Sequence, residues 1–98
     1  MKQHTLKIFK LEDRKKHTDA PVYVLRDGKF FRTAFHPGGW SDLPDYDLGQ
    51  DGRIYRTRHH PDGPGFMPDY MFREDMKLYR TAAHPEGESV FPEYEVDD

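Results

Sequence analysis

Three histidines recur at equal spacing along the chain, and each is followed directly by proline. They are His36, His60 and His84. Three histidine ligands with an open position form a known zinc arrangement. If the chain arranges these residues around an axis, they would make a metal-dependent enzyme or a binding site for zinc or another divalent metal. The alternative is that each ring packs or hydrogen-bonds at the end of its own strand.

Three arginines share this spacing, and a lysine lies at the matching amino-terminal position. They are Arg32, Arg56, Arg80 and Lys10. Converging guanidinium groups would bind a small anion such as phosphate or carboxylate. The favoured hypothesis is instead that each arginine pairs with an acidic residue of its unit, because the chain supplies one acid for each arginine. Those acids are Asp45, Asp69 and Glu93.

A few residues have no counterpart at equivalent positions, so symmetry does not explain them. They are Trp40, Arg58, His59 and Phe66. Trp40 lies in a glycine-flanked loop, where a lone tryptophan either anchors a partner or covers the core. Any unique binding site is expected at Trp40 or at the run from Arg58 to His60, with the three arginines as further candidates.

The spacing reflects an internal repeat of 23–24 residues. Residues 44–67 align without gaps on residues 68–91, with identity at ten of 24 positions, where chance gives about one or two. Residues 21–43 join the alignment with one deletion. The shared frame is Pro-x-Tyr-x-apolar, Asp-Gly, apolar-aromatic-Arg-Thr and His-Pro-x-Gly, which predicts one β-hairpin in each unit.

Each part of the frame predicts local structure. Asp27-Gly28 and Asp51-Gly52 are typical of two-residue hairpin turns, whereas Met76 in the third unit predicts a strained turn or another turn type. The following segments, rich in aromatic and β-branched residues, predict strands that end at His-Pro-x-Gly. The apolar residue before each next proline is expected in the core. These residues are Leu43, Met67 and Phe91.

The two chain ends supply complementary halves of a fourth unit. Residues 92–98 begin like the first strand of a unit, and residues 5–11 contain the pattern of a second strand. We therefore expect an all-β domain over residues 1–98, closed by these ends into a small barrel or a propeller-like ring. An open stack, or strand exchange between two chains in a homodimer, satisfies the same pattern.

Composition narrows the classes of partner. The net charge is −3, so nucleic acid is not an expected partner without a local basic face. Lysines interrupt the amino-terminal segment, so no signal peptide or membrane span is expected there, and the absence of cysteine suits a cytoplasmic location. Aromatic residues make up 14% of the chain, and the repeated tyrosines are expected to be core residues with polar tips.

The sequence contains no phosphate-binding glycine loop, dinucleotide fingerprint or nucleophile elbow. It favours a non-catalytic binding or interaction module without a cofactor, for a protein or carbohydrate partner. A metal-dependent protein using the three histidines is the first alternative. Anion binding by the three arginines is the second.

Overall fold

The computed structural model of the chain describes residues 5–12, 15–16 and 19–97. These residues form nine β-strands and no helix, so no helix among them is long and apolar enough to cross a membrane. The strands are β1 (Thr5–Glu12), β2 (Lys15–Lys16), β3 (Tyr23–Arg26), β4 (Lys29–Arg32), β5 (Tyr46–Leu48), β6 (Arg53–Arg56), β7 (Tyr70–Phe72), β8 (Lys77–Arg80) and β9 (Tyr94–Asp97).

Eight of the strands close into an antiparallel barrel. Strands β3 to β9 pair in chain order, and β1 completes the ring by pairing with β3 on one side and β9 on the other. Ile8 lies opposite both Tyr23 and Val96 in this register. Strand β2 is an extra strand that pairs with the end of β1. The predicted all-β fold, closed by the two ends of one chain, is confirmed.

The interior consists of three sets of side chains, with one member of each set from every hairpin. Alternation along the strands points these residues inward, while their neighbours face outward. The first strand of each hairpin supplies a tyrosine and, two residues later, an apolar residue: Leu25, Leu48, Phe72 or Val96. The second strand supplies Ile8, Phe30, Ile54 or Leu78, each at most 3% exposed.

Backbone hydrogen bonds define which residues are equivalent in the four hairpins. The residue before each core tyrosine donates to the core residue of the preceding second strand, as Asp45 N does to Phe30 O and Val22 N does to Ile8 O. Its own carbonyl accepts from the residue after the arginine position, as Asp69 O does from Thr81 N and Glu93 O does from Leu11 N. Val22 therefore occupies the acid position, and Leu11 the threonine position.

The turns differ from the prediction in one unit. Asp27 and Gly28 both have positive φ, as expected of the two-residue turn. The prediction for Asp51-Gly52 is wrong, because only Gly52 has positive φ and the turn begins at Gly49, whose N–H donates to Arg53 O. In the third unit Met76 takes the glycine position at φ 61°, which is the predicted strain.

The expectation that the residues before proline plug the core is also wrong. Leu43, Met67 and Phe91 are 49%, 66% and 56% exposed. They lie in the loops beyond the strand ends, and the three interior sets of side chains already occupy the barrel.

Candidate functional site

Four tyrosines form a ring inside the barrel at the end where the long loops lie. Tyr23, Tyr46, Tyr70 and Tyr94 contact one another edge to face, with centroid distances of 5.6–6.1 Å around the whole ring. Edge-to-face packing is a favourable arrangement of aromatic side chains. Burial is the main reason that the pKa of all four phenols is raised. The hydroxyl groups are therefore protonated at neutral pH.

Each of the three repeated histidines contacts the tyrosine of its own unit. The Nε2 atoms of His36, His60 and His84 lie 3.0, 3.1 and 3.2 Å from the tyrosine hydroxyl oxygens. The Nδ1 atoms accept backbone N–H groups of the following turn at 2.8–3.0 Å. Since Nδ1 accepts, the neutral ring carries its proton on Nε2 and donates it to tyrosine.

The surroundings of two of these rings favour the neutral form. Burial lowers the pKa of His36 and His60, and the adjacent guanidinium group of Arg32 or Arg56 lowers it further. Both nitrogen atoms of each ring have protein partners. The structure therefore gives each histidine the role of the alternative hypothesis, which is packing and hydrogen bonding at its own strand end.

The residues are not assembled as the metal hypothesis requires. In residues 5–12, 15–16 and 19–97, no group of three histidine, aspartate or glutamate side chains could hold a metal ion. His4 and His17, which add further imidazoles to the sequence, lie outside the described residues.

The predicted pairs of arginine with acid are present. Arg32 Nε donates to Asp45 and Arg56 Nε donates to Asp69, both at 2.7 Å, with the carboxylates nearly buried. Arg80 Nη1 instead lies 3.6 Å from both Glu93 and Glu86. A small anion would have to compete with these carboxylates for the guanidinium groups.

The third pair differs because its acid is shared. Glu93 Oε2 accepts the Tyr70 hydroxyl at 2.7 Å and lies 3.5 Å from Lys10 Nζ. Arg80 Nε has no hydrogen-bond partner within the described part of the chain. The repeated positions thus hold four cations but three carboxylates, because Val22 stands at the fourth acid position.

The candidates that break the repeat lie on three separate outer grooves, one of which is lined by Phe66 together with Tyr55 and Met67. Trp40 is 68% exposed and lines a groove of about 250 Å³ that Arg32 also reaches. Arg58 and His59 line another groove together with Arg56. The structure therefore brings Trp40 near one repeated arginine and the Arg58-His59 pair near another, without joining the two groups.

Most of the exposed apolar surface belongs to the long loops. Because consecutive strands are antiparallel, the loops after β4, β6 and β8 lie at one end of the barrel and the short turns lie at the other. Of eight large hydrophobic residues exposed among the described residues, seven lie in these loops and the eighth, Met76, lies in a turn. The seven are Phe35, Trp40, Leu43, Phe66, Met67, Val90 and Phe91.

A pocket of about 400 Å³ opens where the fourth hairpin meets the first, and we call it the seam pocket. Its walls are mainly apolar, and Lys10, Glu12 and His36 supply polar groups. The apolar wall consists of Val22, Phe35, Pro37 and the ring of Tyr94. Sequence reasoning missed this pocket, although the replacement of the repeated acid by Val22 is visible in the alignment.

Comparisons with protein-family models, with curated proteins and with solved structures find no match to this chain.

Proposed function

We propose that this chain is a non-catalytic binding module that contacts a protein partner through the long loops at one end of its barrel. The concentration of exposed large hydrophobic residues in these loops is the observation that carries the proposal. Phe66 is 98% exposed and Val90 is 86% exposed. Exposed apolar groups that cluster in one region are typical of interaction sites.

The polar groups of the barrel support a non-catalytic role. The phenols, imidazoles, guanidinium groups and carboxylates at this end bond mainly to one another, as in the contacts of Tyr70 with His84 and Glu93. Such contacts stabilise a scaffold that presents loops. A hydrolytic or group-transfer site needs a nucleophile or base that faces a substrate, and these groups face each other.

Residue types and charge in the loops favour a protein over a carbohydrate. Tryptophan, phenylalanine and methionine are enriched in the centres of protein interfaces. Residues 34–43, 58–67 and 82–91 carry one basic residue, Arg58, against four acidic ones, which gives a net charge of −3. The acids are Asp42, Asp62, Glu86 and Glu88. We therefore infer a partner surface with an apolar centre and a basic rim.

Selection from a displayed peptide library tests this proposal. Peptides that bind the intact chain should combine aromatic or aliphatic anchors with lysine or arginine. Their affinity should fall at least tenfold for the triple variant Trp40→Ser, Phe66→Ser and Phe91→Ser, which removes exposed apolar groups without touching the core. Met76→Ser is the matched control, because it removes an exposed hydrophobic residue at the other end of the barrel. It should bind as the unmodified chain does.

Three outcomes would overturn the proposal. Selected peptides could bind the triple variant as tightly as the unmodified chain. A glycan array could give binding that depends on Trp40 while no peptide is enriched, which would favour the carbohydrate alternative. Sedimentation could show a homodimer that the triple variant abolishes, in which case the loops contact a second copy of the chain.

A further inference from the structure

The seam pocket lies where the polar pattern of the other three hairpin junctions is interrupted. At the junction of the first and second hairpins, Arg32 bonds to Asp45, and Tyr23 also donates to Asp45 at 3.4 Å. The equivalent positions at the seam hold Lys10, Val22 and Tyr94. The backbone bonds of Leu11 and Val22 match those at the other junctions, so the strands are equally close. The difference therefore lies in the side chains.

The carboxylate of the other junctions has no counterpart at the seam, where Val22 occupies the acid position. At the junction of the first and second hairpins this carboxylate lies against a cation, as Asp45 does against Arg32. A ligand carboxylate would take the place of the missing acid, and a ring on the same ligand would pack on the apolar wall formed by Val22, Phe35 and Tyr94.

Lys10 is the cation that lines the seam pocket. Lys10 Nζ lies 5.0 Å from the centroid of Tyr94 and 3.5 Å from the Glu93 carboxylate, which is also approached by Arg80. Glu93 is partly buried, and Arg80 also lies 3.6 Å from Glu86, so the Lys10 ammonium group, whose side chain is 41% exposed, is the cation within reach of a ligand in the pocket. Glu12 also lines the pocket and is exposed, so solvent screens its charge as it screens that of Lys10.

We propose that the seam pocket binds a small carboxylate that bears a planar ring, with its carboxylate at Lys10 and its ring between Tyr94, Val22 and Phe35. The volume of about 400 Å³ is in the range of small-molecule sites, which combine apolar walls with a few polar groups. This site goes beyond the loop surface proposed above and does not depend on a protein partner.

Titration followed by protein NMR tests the proposal with defined probes. Phenylacetate and imidazole-4-acetate should each cause saturable shifts at the amides of Lys10, Val22 and Tyr94. Acetate and imidazole, which present only one of the two groups, should bind at least tenfold more weakly. Absence of saturable shifts with both ring carboxylates, or equal binding of acetate, would overturn the proposal.

Variants of the pocket separate specific from general binding. Val22→Asp places a carboxylate beside Lys10 and should weaken phenylacetate binding at least tenfold. Lys10→Gln should weaken phenylacetate binding by a similar factor, and it tests the site even if Val22→Asp fails to fold. Lys29→Gln is the matched control, since this lysine pairs with Asp47 on the outer surface. Unchanged binding in Lys10→Gln, or an equal loss in Lys29→Gln, would contradict the site.

Glu12→Gln provides a further check of charge. Removal of this carboxylate should leave phenylacetate binding unchanged or tighten it, because the ligand is an anion. Weaker binding would contradict a site for a monoanion.

The same chemistry can be presented by a free acid or by the carboxyl-terminal aromatic residue of a peptide. If the pocket accepts peptide ends, a short peptide that ends in phenylalanine should bind at least tenfold more tightly than its carboxyl-terminal amide. If the free acid is preferred, phenylacetate should displace this peptide. Failure of both ligands would overturn the site. The triple loop variant should bind phenylacetate normally, so the two proposals can fail separately.

Discussion

The seam and the other three hairpin junctions share one backbone arrangement but differ in their side chains. At the ion-paired junctions, an arginine meets a nearly buried acid, as Arg56 meets Asp69 at 2.7 Å. At the seam, Lys10 and Val22 line the same pocket, and Lys10 forms its ion pair with Glu93, an acid of its own hairpin. Leu11 nevertheless donates its N–H to Glu93 O as the threonines do to their partners.

This difference shows which interactions are needed to close the barrel and which are not. Because the seam closes without an arginine–acid pair, main-chain bonds and the apolar layers are sufficient there. Burial of Ile8 and Val96, at 0% and 4% exposure, joins the chain ends through the core. At the seam, Lys10 pairs with Glu93 of its own hairpin, whereas Arg32 and Arg56 pair with acids across their junctions.

The largest effect is expected when the seam itself is opened. Deletion of residues 1–11 removes nearly all of β1, and with it the partner of both β3 and β9. The remaining strands would have two unpaired edges and a core without Ile8, so the cooperative fold should be lost. Urea denaturation followed by circular dichroism measures this. A truncated chain with an unchanged unfolding midpoint would show that the ends do not close the fold.

The next largest effect should distinguish an ion-paired junction from the seam. Asp69→Asn leaves the Arg56 guanidinium without its carboxylate and should lower the free energy of unfolding by about 3 kcal/mol. Lys10→Gln removes a partly exposed cation and should cost less than about 1 kcal/mol. Equal costs in urea denaturation would mean that the two kinds of junction are energetically alike.

The smallest effect should come from pH, because it acts through partly exposed rings. The folded-state pKa of His36 and His60 is lowered from 6.5, so the unfolded chain binds more protons as the pH falls. The stabilisation that depends on these neutral rings is fully present above pH 6.5. It decreases as the pH falls from 6.5 to the lower pKa values of the folded state. His60→Asn should flatten this decrease, whereas His59→Asn changes an exposed ring and should not. An identical pH profile for the two variants would show that the His60 ring does not contribute to the pH dependence of stability.

Much of the fold follows from local pattern in the sequence. Alternation in segments such as Lys29–Arg32 predicts the strands, and the match of Ile8-Phe9 with Tyr94–Val96 to the two halves of a hairpin predicts closure. The turn at Asp51-Gly52 was predicted incorrectly because Asp-Gly also suits a longer turn in which only glycine has positive φ. The exposure of Phe91 could not be predicted, because it depends on how completely the tyrosine ring fills the barrel.

The candidate sites were less predictable than the fold. Pairing of arginine with acid followed from their stoichiometry in the repeat. The bonds of His36 and His84 to tyrosine depend on distances across a strand pair that spacing does not specify. The seam pocket has a sequence signal, since Val22 stands where two other units have aspartate. The sequence alone does not show that this substitution lines a pocket, because only closure of the barrel brings Lys10 beside Val22.

A double-mutant cycle of Lys10→Arg and Val22→Asp tests most directly whether the seam is an incomplete version of the other junctions. The free energy of unfolding is measured for the unmodified chain, both single variants and the double variant. The two changes together should be more stable than the sum of their separate effects by at least about 1 kcal/mol, because they recreate the arginine–acid pair. A coupling energy near zero would show that the seam is not an incomplete arginine–acid junction.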